Sequence, residues 1–159
     1  MSRTWCIAAV LAAAALGAAG CGGGGNAAPA PPPEGLPLTS CTPVEYGGEG
    51  QPDLLVVSDL PLGGRARERA VQVAEAVRWE IEGRGWLAGP WRVGYQSCDD
   101  ADVKTGEWDP GRCAENADVY ATTPKVIGVV GPLDSGCAAI VVPVLNKAAG
   151  GGVPVISPS

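Results

Sequence analysis

The sequence of 159 residues contains no histidine, no phenylalanine and a single methionine. Histidine is the side chain that most often serves as a general base or a metal ligand near neutral pH. Its absence excludes a Ser-His-Asp arrangement, and the sequence shows no other pair of nucleophile and base. We therefore expect a protein that is not an enzyme and that binds no metal and no cofactor.

Positive charge is also scarce. Eleven Lys and Arg residues stand against 17 Asp and Glu residues, which gives a formal net charge of −6. An acidic chain is poorly suited to bind the phosphate backbone of DNA or RNA. We therefore expect no nucleic-acid partner.

The N-terminal apolar run is too short to cross a bilayer. It covers residues 5–16, whereas a spanning helix needs roughly 20 apolar residues. It follows Arg3 and precedes small residues that end at Cys21, an order typical of a secretory signal peptide, and these small residues resemble a bacterial lipobox. We predict a signal peptide over 1–20, a lipid on Cys21 and an extracytoplasmic chain anchored to the outer face of the cell membrane. A plain secretory signal with an unmodified Cys21 is the alternative.

Glycine and proline are concentrated after this signal. The stretch 22–50 contains eight Gly and six Pro in 29 residues, a composition that favours a linker over a packed core. We predict a tether over 21–51 and a folded domain over 52–159.

The cysteines indicate disulfides. Without Cys6 in the signal peptide and Cys21 at the lipid site, four remain: Cys41, Cys98, Cys113 and Cys137. Four thiols in an oxidising compartment predict two disulfides, with three possible connectivities. A zinc site is the alternative, but the sequence offers no Cys-x-x-Cys pair and no histidine for it.

Short apolar runs alternate with helical patterns along the folded part. The predicted order β-α-β-α-β-α-β has strands at 53–58, 91–96, 126–130 and 153–156 and helices at 65–81, 109–121 and 135–148. Short connections between such elements predict a doubly wound α/β fold, which is a parallel sheet with helices on both faces. Pro143 within the third predicted helix should kink or interrupt that helix.

Ligands of doubly wound sheets bind at the loops beyond the carboxyl ends of the strands. Those loops are 59–64, 97–102, 133–136 and 157–159. The last strand would leave an apolar sheet edge, and four strands make only half of such a domain. We therefore expect the sequence to be the N-terminal part of a longer chain.

The loop 131–136, Gly-Pro-Leu-Asp-Ser-Gly, has the glycine spacing of a phosphate-binding loop but is followed by Cys137 instead of Lys. Without that lysine, triphosphate binding loses its main charge partner. The N-terminus of the following helix is suited to a single carboxylate, because its backbone N–H groups are free and its dipole is positive there. Ser135 as a simple helix cap is the alternative.

Residues 126–159, VIGVVGPLDSGCAAIVVPVLNKAAGGGVPVISPS, resemble the extracytoplasmic substrate-binding proteins of branched-chain amino-acid ABC transporters. Residues 56–63 (VVSDLPLG) and 95–100 (YQSCDD) fit the first and second ligand-facing loops of the same family. That family has the type I periplasmic-binding-protein fold, so the resemblance implies that 52–159 forms the first half of its lobe I. It also implies a lipoprotein that binds an amino acid or a similar small carboxylated solute and delivers it to an ABC permease.

The resemblance also implies ligand contacts. Ser135, Gly136 and Ser159 match positions that hold the α-carboxylate and backbone of the amino acid, and Leu60 and Pro61 match wall contacts. In the family, the acid that binds the ligand ammonium lies beyond this part of the chain.

Asp134 departs from the family pattern, because its carboxylate lies beside the proposed carboxylate position and would repel a carboxylate there. Three other functions are alternatives: a sensory ligand-binding domain of the same fold, an extracytoplasmic α/β enzyme and an inert structural lipoprotein.

The expected topology also bears on the disulfides. The helices that begin at 109 and 135 should lie side by side, with both first turns at the ligand edge. Cys113 and Cys137 lie in those turns, so we favour their pairing, which leaves Cys41 with Cys98. Pairing of Cys98 with Cys137 is the alternative, because it also joins two loops at that edge.

Overall fold

A computed structural model describes residues 31–37 and 39–159 of the chain. The predicted signal peptide and the lipid site at Cys21 lie outside these residues. The elements are β1 (Leu54–Leu60), α1 (Arg67–Gly83), β2 (Leu87–Ala88), β3 (Trp91–Asp99), α2 (Pro110–Thr122), β4 (Val126–Val130), α3 (Ser135–Leu145) and β5 (Val155–Ile156). In the described part of the chain, no helix is both long and apolar enough to span a bilayer.

The strands form one five-stranded sheet in the order β2-β3-β1-β4-β5. The central strand β1 pairs in parallel with β3 and with β4, and β4 pairs in parallel with β5. Helix α1 packs on one face of the sheet, whereas α2 and α3 pack together on the other. This arrangement confirms the predicted doubly wound α/β fold.

Burial on both faces explains the continuous apolar run of β1. One face of the strand packs Leu55 and Val57 into a large core with α2 and α3. Leu60 faces the other side and packs against Ala70 and Ala74 of α1. Alanines at these two positions let the helix axis approach the sheet closely. The large core is formed by apolar residues of the sheet and of α2 and α3: Leu55, Val57, Val126, Val129, Ala117, Tyr120, Val141 and Leu145.

Helix α2 begins as predicted. The carboxylate of Asp109 accepts a hydrogen bond from the backbone N–H of Arg112 at 2.9 Å, and Pro110 is the first helical residue. Both features stabilise a helix N-terminus. The Asp109 carboxylate satisfies a backbone N–H group that has no partner within the helix, and Pro110 has no N–H group that would need one.

Helix α3 begins at the predicted residue, but its N-cap is not Ser135. Asp134, and not Ser135, is its N-cap, since the Asp134 carboxylate accepts the N–H of Gly136 at 3.1 Å. Pro143 does not interrupt the helix, which continues to Leu145 and ends three residues before the predicted end. A proline so close to the C-terminus removes a single N–H donor from the last turn, which limits its cost.

The second predicted strand is longer than expected and has an additional neighbour. β3 extends to Asp99, three residues beyond the predicted end. The segment between the first predicted helix and the second predicted strand contains β2, which pairs antiparallel with the start of β3 through Leu87 and Arg92. The sheet is therefore parallel with one short antiparallel strand at its edge.

Part of the predicted tether packs on the sheet. Residues 39–46, here called the N-terminal arm, lie along the outer edge of β3, where Glu45 and Tyr95 exchange backbone hydrogen bonds of 2.8 and 2.9 Å. Leu36 and Val44 are buried in the large core. The packed structure therefore begins before residue 52, which differs from the boundary that glycine and proline content indicated.

The structure contains the favoured disulfide pairs. Cys113 and Cys137 join the first turns of α2 and α3, which lie side by side. Cys41 of the N-terminal arm is joined to Cys98 of β3. The alternative pairing of Cys98 with Cys137 does not occur.

Replacing both cysteines of a pair by serine should destabilise the protein. The expected loss in free energy of unfolding is about 4 kcal/mol for Cys41 and Cys98, which close a loop of 57 residues, and about 3.5 kcal/mol for Cys113 and Cys137, which close one of 24. Denaturant unfolding monitored by circular dichroism measures both losses, and double replacement avoids an unpaired thiol. A non-reducing peptide map that links Cys98 to Cys137 would contradict this assignment.

Candidate functional site

The carboxyl ends of four parallel strands meet at one edge of the sheet, here called the carboxyl edge. It is formed by the residues that follow β1, β3, β4 and β5, and α1, α2 and α3 all begin there. Three helix N-termini thus direct their positive dipole ends toward the same region. This edge contains all of the predicted ligand contacts.

Two of the predicted contacts are open to solvent. Ser135 and Ser159 are exposed, and Gly136 between them in chain order is half-buried. Leu60 and Pro61 are buried, and Leu60 is completely enclosed by the α1 side of the sheet. Leu60 therefore supports the loop after β1 from within, because its side chain belongs to the small core under α1, and Pro61 is buried in the same loop.

The N-terminus of α3 is already occupied by a carboxylate of the chain. Asp134 accepts the Gly136 N–H, so this amide is not free for a ligand. A Cβ atom at Gly136 would overlap with the indole ring of Trp108. Gly136 therefore allows Trp108 to cover the first turn of α3, a packing role that the sequence did not indicate.

Three polar side chains, those of Ser157, Ser159 and Arg69, lie near the end of β5. The Ser157 hydroxyl donates a hydrogen bond to the carbonyl of Pro132 at 3.1 Å, and its oxygen lies 3.0 Å from the Ser159 hydroxyl oxygen. The guanidinium of Arg69, in the first turn of α1, donates to the carbonyl of Pro158 at 3.3 Å. The sequence predicts a helix over 65–81 but carries no signal for this contact, which joins residues 89 positions apart.

A buried carboxylate ends β1. One oxygen of Asp59 accepts hydrogen bonds from the Asn116 amide at 2.7 Å and from the Tyr120 hydroxyl at 3.0 Å, while the other has no partner among the described residues. Burial raises the pKa of Asp59 to about 7, although the two hydrogen bonds act in the opposite direction.

Asp100, just after β3, is a second buried carboxyl. Neither of its oxygens has a hydrogen-bond partner within the described residues. Burial, followed by the negative charges of Asp59, Asp99 and Asp134, raises the pKa of Asp100 to about 8. Near neutral pH, Asp100 is therefore mainly protonated and uncharged.

Asn116 connects the elements around these carboxyls. Its amide nitrogen donates to Asp59 and also lies 3.3 Å from the carbonyl of Asp99, while its amide oxygen accepts from the Ser40 hydroxyl at 3.2 Å. A single side chain of α2 thus joins the ends of β1 and β3 and the N-terminal arm in one hydrogen-bonded network.

The same region contains a group with the elements of a metal site. A carboxyl oxygen of Asp100 and the sulfur atoms of Cys113 and Cys137 all lie within 4.8 Å of one another. The sulfurs are joined in a disulfide, whereas zinc binds cysteine as the thiolate. These three residues therefore do not form a metal site.

A large open cleft lies at the opposite edge of the sheet. It has a volume of about 940 Å³ and is bordered by the ends of α2 and α3 and the start of β4. Its lining is largely apolar and contains one charged side chain, that of Lys147. The cleft offers few groups that could orient a polar solute, so the carboxyl edge is the better candidate site.

No protein-family model and no curated protein matches the chain. A solved structure with a similar fold is the branched-chain amino acid transporter substrate binding protein LivJ from Streptococcus pneumoniae str. Canada MDR_19A, in complex with isoleucine. The two share 21% sequence identity with a TM-score of 0.52 over 67% of this chain. The chain spans 28% of the length of that protein. The likeness shows the fold, which matches part of a lobe of a type I periplasmic-binding protein.

Replacing Gly136 by alanine should destabilise the protein by about 1–3 kcal/mol, because Trp108 must move away from the first turn of α3. The matched control is Gly83→Ala at the end of α1, where an added Cβ meets no atom within 4 Å. That change should be neutral or stabilising by up to about 1 kcal/mol. Denaturant unfolding measures both, and equal effects of the two replacements would contradict the packing role of Gly136.

Stability should fall as the pH rises from about 4 to about 8. Unfolded aspartates lose their proton near pH 4, whereas Asp59 and Asp100 keep theirs to about pH 7 and 8. The folded state therefore binds more protons between these limits, and the free energy of unfolding decreases with pH. At pH 8.5, Asp100→Asn should raise the Tm by about 5 °C or more, and at pH 5 the rise in Tm should be several-fold smaller.

Asp102→Asn is the control for this experiment. Asp102 is only partly buried, and hydrogen bonds from the backbone of Thr105 and Lys104 lower its pKa. Its replacement should bring no gain at pH 8.5. Thermal melts of the wild type, Asp100→Asn and Asp102→Asn at both pH values give the comparison. An Asp100→Asn Tm equal to the wild-type Tm at pH 8.5 would contradict the conclusion that the charge of buried Asp100 destabilises the folded state.

Proposed function

We propose that this chain belongs to a solute-binding protein that binds an amino acid or a similar small carboxylated solute outside the cytoplasmic membrane. The observation that carries the proposal is the likeness of its fold to a substrate-binding protein that holds isoleucine. The position of the polar residues supports it, because Ser135 and Ser159 are exposed at the edge where ligands of doubly wound sheets bind.

The chemistry of the carboxyl edge agrees with binding. Helix N-termini and hydroxyl groups can hold a small anionic group by hydrogen bonds without changing it. The sequence contains no histidine that could activate a serine there. These features favour a reversible complex over a covalent reaction.

The partner and the location belong to the same proposal. The complete protein would be attached by a lipid on Cys21 to the outer face of the membrane and would deliver its solute to an ABC permease. Two disulfides support an oxidising compartment. The signal-like segment and the cysteine that follows it support attachment to the membrane.

Thermal unfolding of the full chain with a panel of amino acids tests this function. A ligand at 100 times its Kd adds about 2.7 kcal/mol to the free energy of unfolding, so at least one panel member should raise the Tm measurably. The panel contains isoleucine, leucine, valine, alanine and glutamate.

Ser135→Ala should reduce the ligand-induced shift, because it removes a hydroxyl from the carboxyl edge. The control is Ala139→Ser, one turn further along the exposed side of α3, which should leave the shift unchanged. A Tm that no panel member changes would overturn the proposed function.

A further inference from the structure

The N-terminus of α3 cannot fully provide the carboxylate site that its sequence indicated. Asp134 accepts the Gly136 N–H, and Trp108 covers the backbone at Gly136. The charge of Asp134 also repels a second carboxylate nearby. A carboxylated solute at the carboxyl edge therefore needs a positive group elsewhere.

Arg69 is such a group. It is exposed, it lies in the first turn of α1, and one of its guanidinium nitrogens donates to Pro158 in the loop that carries Ser157 and Ser159. This contact brings the guanidinium to the backbone of the loop between the two serines. The positive end of α1 lies on the same side of the sheet.

Arg65, which also lies at the carboxyl edge, is already neutralised by a carboxylate. Arg65 forms an ion pair of 3.0 Å with Glu107, across the loops that follow β1 and β3. Arg69 forms no ion pair with any residue that the structure describes. Its charge is therefore available to a ligand.

The guanidinium also has hydrogen-bonding capacity left. It carries five N–H donors in a planar fork, and the bond to Pro158 uses one of them. The fork matches the two oxygens of a carboxylate, and a hydrogen bond between opposite charges is stronger than a neutral one.

We infer that Arg69 is the residue that recognises the carboxylate of the bound solute, together with the hydroxyl group of Ser159. The inference rests on the proposed function and assigns its anion-binding contact to α1 and the β5 loop, away from the acidic N-terminus of α3. It predicts preference for a free carboxylate over an uncharged amide of the same molecule.

The test compares the binding of an amino acid and of its carboxamide to the full chain. The probes are the panel member that gives the largest thermal shift and its amide, for example L-isoleucine and L-isoleucinamide. In Arg69→Ala, affinity for the acid should fall by roughly tenfold or more, while affinity for the amide changes little. The preference of the wild type for the acid should therefore be lost.

Two further variants separate charge recognition from support of the loop. Arg67→Ala, an exposed arginine of the same helical turn without an ion pair among the described residues, should keep the wild-type preference. Arg69→Lys keeps the charge but loses the planar fork, so its preference should be intermediate.

The outcomes distinguish this inference from the function on which it rests. If the wild type binds no panel member, the proposed function fails and the role of Arg69 fails with it. If the wild type binds but Arg69→Ala keeps its preference, or loses acid and amide affinity equally, only the role of Arg69 is overturned. Selective loss of the acid supports it.

Discussion

The parallel pairing of β1 with two neighbours organises the whole structure. The strand lies between β3 and β4 and is covered on one face by α1 and on the other by α2 and α3. Parallel strands end at the same edge, and each following helix begins there. The exposed hydroxyls, the buried carboxyls and the helix N-termini are together because the apolar side chains of this strand are buried on both faces.

Carboxylates of the chain determine the electrostatics of that edge. Asp134 satisfies the N-terminus of α3, and Asp59 satisfies donors from α2. Asp100 is buried without a partner in the described structure and keeps its proton near neutral pH. The positive end of α3 therefore meets an acidic group of the protein itself. Arg69 remains as an exposed cation beside the β5 loop.

The N-terminal arm covers the exposed edge of β3. Beyond its short pairing with β2, the edge of β3 would present unpaired backbone groups, which is a hazard for aggregation. Residues of the arm bond to those groups, and the bond between Cys41 and Cys98 holds the arm in register. Asn116 links the arm to the ends of β1 and β3. The edge is thereby protected and connected to the candidate site.

Element order, the parallel sheet and the start of α2 at Asp109 could be predicted, because apolar periodicity, short connections and helix caps are local patterns. The packing of Leu36 and of the arm could not, since the glycine and proline content of residues 22–50 describes chain flexibility, whereas burial of Leu36 and Val44 depends on a distant sheet. The choice of Asp134 over Ser135 as the cap depends on backbone geometry, because both types cap helices well. Burial of Leu60 and the approach of Arg69 to Pro158 were decided by how α1 crosses the sheet, which no local pattern encodes.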